Sequence, residues 1–265
     1  MRALPIWEVP IMIIWSGEAL RDGVDIQPDE FYNRLRSSSK SPGTSQPTPE
    51  AFKEAFSGLL AQGYDILGVF ISSKFSGTYA SAQQAQAMLP GNNIEIIDSL
   101  TGSMGAGWPI LSAARAALAG ASLADCKALV QKALKHTDIL LMVDNLEYLH
   151  RGGRIGGAQR FLGTALRLKP ILEVVESGFI GLERVRTRQK AMERLVELLE
   201  EHIGGRVPVR LAALHAGTRE SAEQLLQAAS ERIQTIETML TDVSPGVGVH
   251  LGPGCVGYAF MTGIE

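Results

Sequence analysis

Residues 66–98, ILGVFISSKFSGTYASAQQAQAMLPGNNIEIID, decide the fold. Residues 66–72 form an apolar run of strand length, residues 79–88 read as a helix, and Ile94, Ile96 and Ile97 lie in a second short apolar run. Strands that alternate with helices belong to sheets covered on both faces, mainly parallel or mixed. The alternation continues downstream. Helices are predicted over 105–118, 123–134, 146–150, 158–166, 189–203 and 220–233, and strands over 139–143, 170–176, 182–186, 209–215, 236–242 and 257–261. The chain of 265 residues has room for two such units. The glycine-rich segment 151–157, RGGRIGG, is the candidate joint, which gives an N-terminal α/β domain over 1–150 and a C-terminal α/β domain over 151–265.

Upstream of the deciding stretch, residues 11–15 read as a strand, Ser16-Gly17 as a turn and residues 21–26 as the far arm of a hairpin. Pro28, Asp29 and Glu30 suit the first turn of a helix that turns Phe31, Tyr32 and Leu35 inward. Ser, Pro, Gly and Lys dominate residues 37–49, which predicts a loop. Pro49 and Glu50 then open a helix with Phe52, Phe56, Leu59 and Leu60 at helical spacing.

Bulk properties exclude several classes. A hydrophobic fraction of 45% with 20% charged residues is that of a folded chain. The net charge of −3 offers no field for nucleic acid. Cys126 and Cys255 are too few and too distant for a secreted disulfide framework, so a cytoplasmic location is expected. The apolar residues near the start are interrupted by Pro5, Glu8 and Pro10, and no stable membrane insertion is expected.

Several loops could carry chemistry. The segment Ser72-Ser73-Lys74-Phe75-Ser76-Gly77-Thr78-Tyr79 joins a buried strand to a helix, so hydroxyls and free amides gather at a helix start beyond a strand's carboxyl end. Simple capping by Ser76 or Thr78 explains the same pattern. Thr44-Ser45-Gln46-Pro47 offers a second hydroxyl pair that alone reads as a turn. His215-Ala216-Gly217-Thr218-Arg219 repeats the strand, small-residue turn and helix logic. His250 lies in the tight turn HLGPG, where a buried imidazole bonded to backbone competes with a ligand contact. Arg184, Arg186 and Arg188 alternate along one face, as a solvated strand edge or as an anion-recognising row.

Enzyme signatures are sparse. Ser76, Asp98 and His250 follow the nucleophile, acid, base order of α/β hydrolases, but Lys74 and Thr78 stand where the nucleophile elbow needs glycines. No phosphate loop or dinucleotide fingerprint is present, and His136, His150, His202, His215 and His250 have no zinc-ligand spacing, so no cofactor and no metal are expected.

Six segments in order, RDGVDI (21–26), TSQP (44–47), ISSKFSGTY (71–79), LHRGGRIG (149–156), VRTR (185–188) and HLGPG (250–254), resemble the DegV family, and the similarity runs from about residue 9 to the end. The resemblance implies a two-domain α/β protein that holds one long-chain fatty acid between its domains and catalyses nothing by itself. In several bacteria such proteins present the fatty acid to a separate kinase that makes acyl phosphate. Carried over to this sequence, Thr44 and Ser76 would hold the carboxylate with Ser45 and Gly77 beside them. His250 and Arg186 would stand near the exit, with Arg186 serving the kinase. Family members usually open with a strand and an Asp-Ser-Thr or Asp-Ser-Ser loop that this sequence lacks, so the first sheet is expected to be one strand short, by truncation or a rebuilt edge. The competing readings are a hydrolase or acyltransferase using Ser76 and His250, and a regulatory module for another small acid.

Overall fold

In the computed structural model, which describes residues 4–163 and 168–264, the chain opens on a β-hairpin. Strand β1 (Met12–Trp15) turns at Ser16 and Gly17 and returns as β2 (Glu18–Arg21), with Trp15 opposite Glu18. Both turn residues have positive φ, 55° and 89°, the hand that matches the twist of paired strands. This register corrects the far arm expected at 21–26. The ladder ends at Arg21, and Asp25 closes a second turn by accepting from the Arg21 amide and guanidinium. Helix α1 (Pro28–Ser37) buries Phe31, Tyr32 and Leu35 as expected. Strand β3 (Gly43–Ser45) pairs antiparallel with β1 and sets Thr44 opposite Ile13. Thr44, expected in a loop, therefore stands on an edge strand. Thr48 caps α2 (Pro49–Ala61) by accepting the Ala51 amide at 3.2 Å.

The deciding stretch folds as read. Strand β4 (Ile66–Phe70), helix α3 (Thr78–Ala87) and strand β5 (Ile94–Asp98) form a parallel two-stranded sheet with its crossover, followed by α4 (Ser103–Leu118) and α5 (Leu123–Leu134). Strand alternation assigns the faces. Ile66, Ile94 and Ile96 pack with Phe52 and Phe56 of α2 and Ala82 and Ala85 of α3, whereas Leu67, Val69 and Ile97 pack with Ala113, Cys126 and Val130 of α4 and α5.

A six-stranded sheet gathers the rest. It comprises β6 (Thr137–Met142), β7 (Lys169–Val175), β8 (Gly178–Val185), β9 (Val209–His215), β10 (Glu237–Asp242) and β11 (Val256–Thr262), in the order β10-β9-β11-β6-β7-β8. The sheet is mixed: β9 and β10 run parallel and the other pairs antiparallel. The strands predicted at 182–186, 209–215 and 257–261 share it as expected. Strand β6, which precedes the glycine-rich joint, pairs here too, between β11 and β7.

The helices of this part are α6 (Glu147–Arg151), α7 (Arg188–Ile203), α8 (Arg219–Ser230) and α9 (Pro245–Leu251). Leu140 and Met142 of β6 face a core closed by Leu195 and Leu199 of α7 and Leu225 of α8. Ile139 and Leu141 face the opposite core, shared with Trp15, Phe31, Trp108 and Val249. The second core is the larger apolar mass, lying between the sheet and α1, α4 and α9.

Two helix expectations are corrected. Residues 156–161 form a 3-10 turn where a helix over 158–166 was expected, and residues 164–166 of that expectation lie outside the described residues. His250, expected in a tight turn, stands in the last turn of a helix over residues 245–251 that forms despite two glycines, which are poor helix formers. Packing overrides propensity: a Cβ at Gly248 would sit 2.5 Å from Tyr32 Oη, and one at Gly246 would collide with Ile11 Cδ1. Only glycine lets α9 lie this close to α1 and the N-terminal sheet.

Candidate functional site

Strand β3, helix α6 with the turn after it, and the end of α9 enclose a cleft of about 260 Å³. Ser41, Thr44, Tyr148, Arg151, Arg154 and His250 supply its polar lining, and Val249 connects it to the larger apolar core. Thr44 Oγ1 lies 3.1 Å from His250 Nε2, so residues 206 positions apart meet here. His250 Nδ1 is buried and has no hydrogen-bond partner. Burial, and then the positive charge of Arg154, hold the His250 imidazole down to about 4. The ring is therefore neutral at pH 7, and with Nδ1 unbound either nitrogen can carry its proton.

The Ser76 loop closes against this cleft. Arg154 Nε donates to the Phe75 carbonyl at 3.0 Å, and Arg154 Nη1 donates to the Gly152 carbonyl. Ser76 Oγ accepts the Thr78 amide at 3.2 Å and lies 2.8 Å from Thr78 Oγ1. The N-cap of α3 is Gly77 and no side chain caps the helix, which corrects the capping expected of Ser76 or Thr78; the Ser76 hydroxyl proton can turn to another acceptor. Gly77 lets the Gln46 side-chain amide lie across the loop: a Cβ there would meet that amide and push it aside. Ser45, beside Thr44, is exposed.

Thr44 and His250 thus meet directly, while Ser76 and Gly77 adjoin through Gln46 and Arg154. Arg186 stands apart. It is exposed, between β8 and the Thr187 cap of α7, and has no ion-pair partner among the described residues. Sequence reasoning missed Tyr148, Arg151 and Arg154, having read residues 151–157 as a joint. Two arginines alternating with glycines were the available signal. Arg151 donates to Ser41 Oγ and to Glu147 Oε1, so the guanidinium is held at the rim.

The hydrolase constellation is not assembled. His250 Nε2 faces Thr44, Ser76 is bonded to Thr78, and Asp98 accepts the Ser73 and Leu100 amides as a loop cap. A base held down to about 4 and oriented by no acid is poorly suited to activating a serine. No group of three or more His, Cys, Asp or Glu able to hold a metal occurs among the described residues. No helix among them is long and apolar enough to cross a membrane.

The fold is a two-domain α/β architecture with a polar cleft whose lining includes Val249 of the larger apolar core. The family described as "Uncharacterised protein, DegV family" matches residues 1–263, and the chain belongs to it. It is 32% identical to a DegV domain-containing protein of Clostridium perfringens over 95% of this chain and 90% of the relative. It is also 32% identical to Protein DegV of Bacillus subtilis, over 94% and 89%. A fatty-acid-binding DegV family protein from Thermus thermophilus has a similar structure, with a TM-score of 0.90, 32% identity, and coverage of 96% of this chain and 91% of that one. The fatty-acid-binding DegV of Bacillus subtilis gives 0.83 at 29% identity, covering 96% and 91%.

Proposed function

We propose that this protein binds one long-chain fatty acid, with the carboxylate in the Thr44, Ser76 and His250 cleft and the chain in the adjoining apolar core. The observation that carries this reading is the Thr44–His250 contact in a small polar cleft whose lining shares the buried Val249 with that core. The fatty-acid binding of relatives at 32% and 29% identity supports it. Burying about 14 methylenes at roughly 0.8 kcal/mol each contributes on the order of 11 kcal/mol before immobilisation costs, so the chain supplies the affinity.

The head group sets orientation. A buried carboxylate needs donors, and with its proton on Nε2 the neutral His250 donates to Thr44 Oγ1 and frees the Thr44 hydroxyl for the ligand. Ser76 adds a second hydroxyl, with Ser45 and Gly77 flanking the pair. Arg154 and Arg151 supply positive charge at the mouth. The protein would then present the carboxylate to a separate kinase, with the exposed Arg186 contacting that partner. In this reading it performs no chemistry of its own.

Native mass spectrometry of the purified protein before and after organic extraction tests the binding. A mass increment matching one fatty acid that extraction removes is the expected result. A protein that carries no lipid and takes up none from added fatty acid would overturn it.

A further inference from the structure

A second cleft of about 230 Å³ lies between α1 and the turn from β9 into α8, lined by Asp29, Asn33, Arg36, His215, Arg219 and Glu220 among others. His215 is only 2% exposed, yet neither ring nitrogen has a hydrogen-bond partner in the protein. Its Nδ1 lies 3.3 Å from Asp242 Oδ1, without hydrogen-bond geometry. A buried imidazole left unpaired costs free energy that a bound polar group would recover. The same cleft lies at the N-terminus of the twelve-residue helix α8, whose cap residue Thr218 makes no side-chain cap bond. Helix amides and dipole favour an anion there.

Two guanidiniums border it. Arg36 is anchored to the Asn33 side chain and the Gly217 carbonyl, and Arg219 bonds Glu223 through Nε at 2.9 Å, which leaves its Nη groups without partners among the described residues. Asp29 and Glu220 would repel an anion that can only accept hydrogen bonds. An imidazole in its neutral form offers one acceptor nitrogen beside one donor, and neither His215 nitrogen is engaged within the protein. The lining therefore asks for a group that is negative and still carries a proton to donate. Sulfate has no such proton near neutral pH; hydrogen phosphate does.

We propose that this cleft binds a hydrogen phosphate group, as the free ion or as a phosphate monoester. The arginines and the α8 amides donate to its oxygens, and its P–OH donates to the acceptor nitrogen of His215 or to a rim carboxylate. The site is separate from the Thr44 cleft and does not depend on the fatty-acid reading.

The test is calorimetric titration of the full chain with inorganic phosphate, glycerol phosphate and sulfate, for the parent, Arg219→Gln and His215→Asn. Saturable phosphate binding is expected, with sulfate weaker by at least about tenfold. Each variant should lose a similar factor. A tighter constant for glycerol phosphate than for inorganic phosphate would identify a monoester as the ligand, and the reverse order the free ion. Because His215 is buried, Arg219→Gln is the decisive variant: its side chain is 65% exposed and its melting temperature should equal the parent's. No saturable phosphate binding, equal binding of sulfate, or unchanged affinity in Arg219→Gln would each overturn the proposal.

Discussion

Thr44 Oγ1 and His250 Nε2 are 3.1 Å apart across the cleft, and this contact ties edge strand β3 to the last turn of α9. It joins the two ends of the chain in one hydrogen bond, and the neutral state of His250 follows from burial beside Arg154. Acid would add a proton at Nδ1 and leave the Nε2–H to Thr44 in place, so it acts by placing a charge on a buried ring rather than by breaking this bond.

The folded His250 titrates near 4, below the ordinary 6.5. A depressed histidine means that the unfolded chain binds the proton first, so stability falls as pH drops below 6.5 and the loss is complete below about 4. The cost is on the order of 3 kcal/mol. Urea denaturation from pH 7 to 4 should show this loss in the parent and a smaller one in His250→Gln. Parallel curves for the two proteins would remove His250 from the account.

Ser76→Ala should weaken fatty-acid binding by about 1 to 3 kcal/mol, the cost of leaving a buried acceptor short of one donor. Fluorescent fatty-acid displacement reads it directly. If the variant binds as tightly as the parent with the fold intact, the carboxylate is held elsewhere.

Arg186→Ala should leave both stability and lipid binding unchanged, since an exposed arginine without an ion-pair partner contributes little to folding. In a reconstituted phosphorylation assay with a cognate kinase it should lower the rate, chiefly through slower association. Weakened lipid binding with normal turnover at saturating lipid would instead move Arg186 into the head-group site.

Gly248→Ala should destabilise the protein by about 1 to 3 kcal/mol, because the added methyl meets Tyr32 Oη at 2.5 Å and Phe31 Cε1 at 2.9 Å. Tyr32 cannot easily yield, since its hydroxyl donates to the Val243 carbonyl at 2.7 Å. Thermal unfolding checks the prediction. An equally stable variant would show that α9 can shift away from α1.

The sequence by itself determined the α/β class, since residues 66–98 place two short apolar runs of strand length on either side of a segment free of proline and glycine and long enough for a helix. It also named Thr44, Ser76 and His250, through hydroxyl and histidine turns resembling those of a family. Tertiary structure decided what local pattern leaves open. The helix of 245–251 forms against glycine's propensity because α1 leaves room only for glycine. Strand β6 pairs with β11 and β7 because its two apolar faces are covered by elements that lie far away in sequence. Arg151 and Arg154 enter the cleft because hydrogen bonds to Ser41 and Phe75 fix them there. Such contacts depend on which surfaces meet, and periodicity along one segment carries no record of its distant partner.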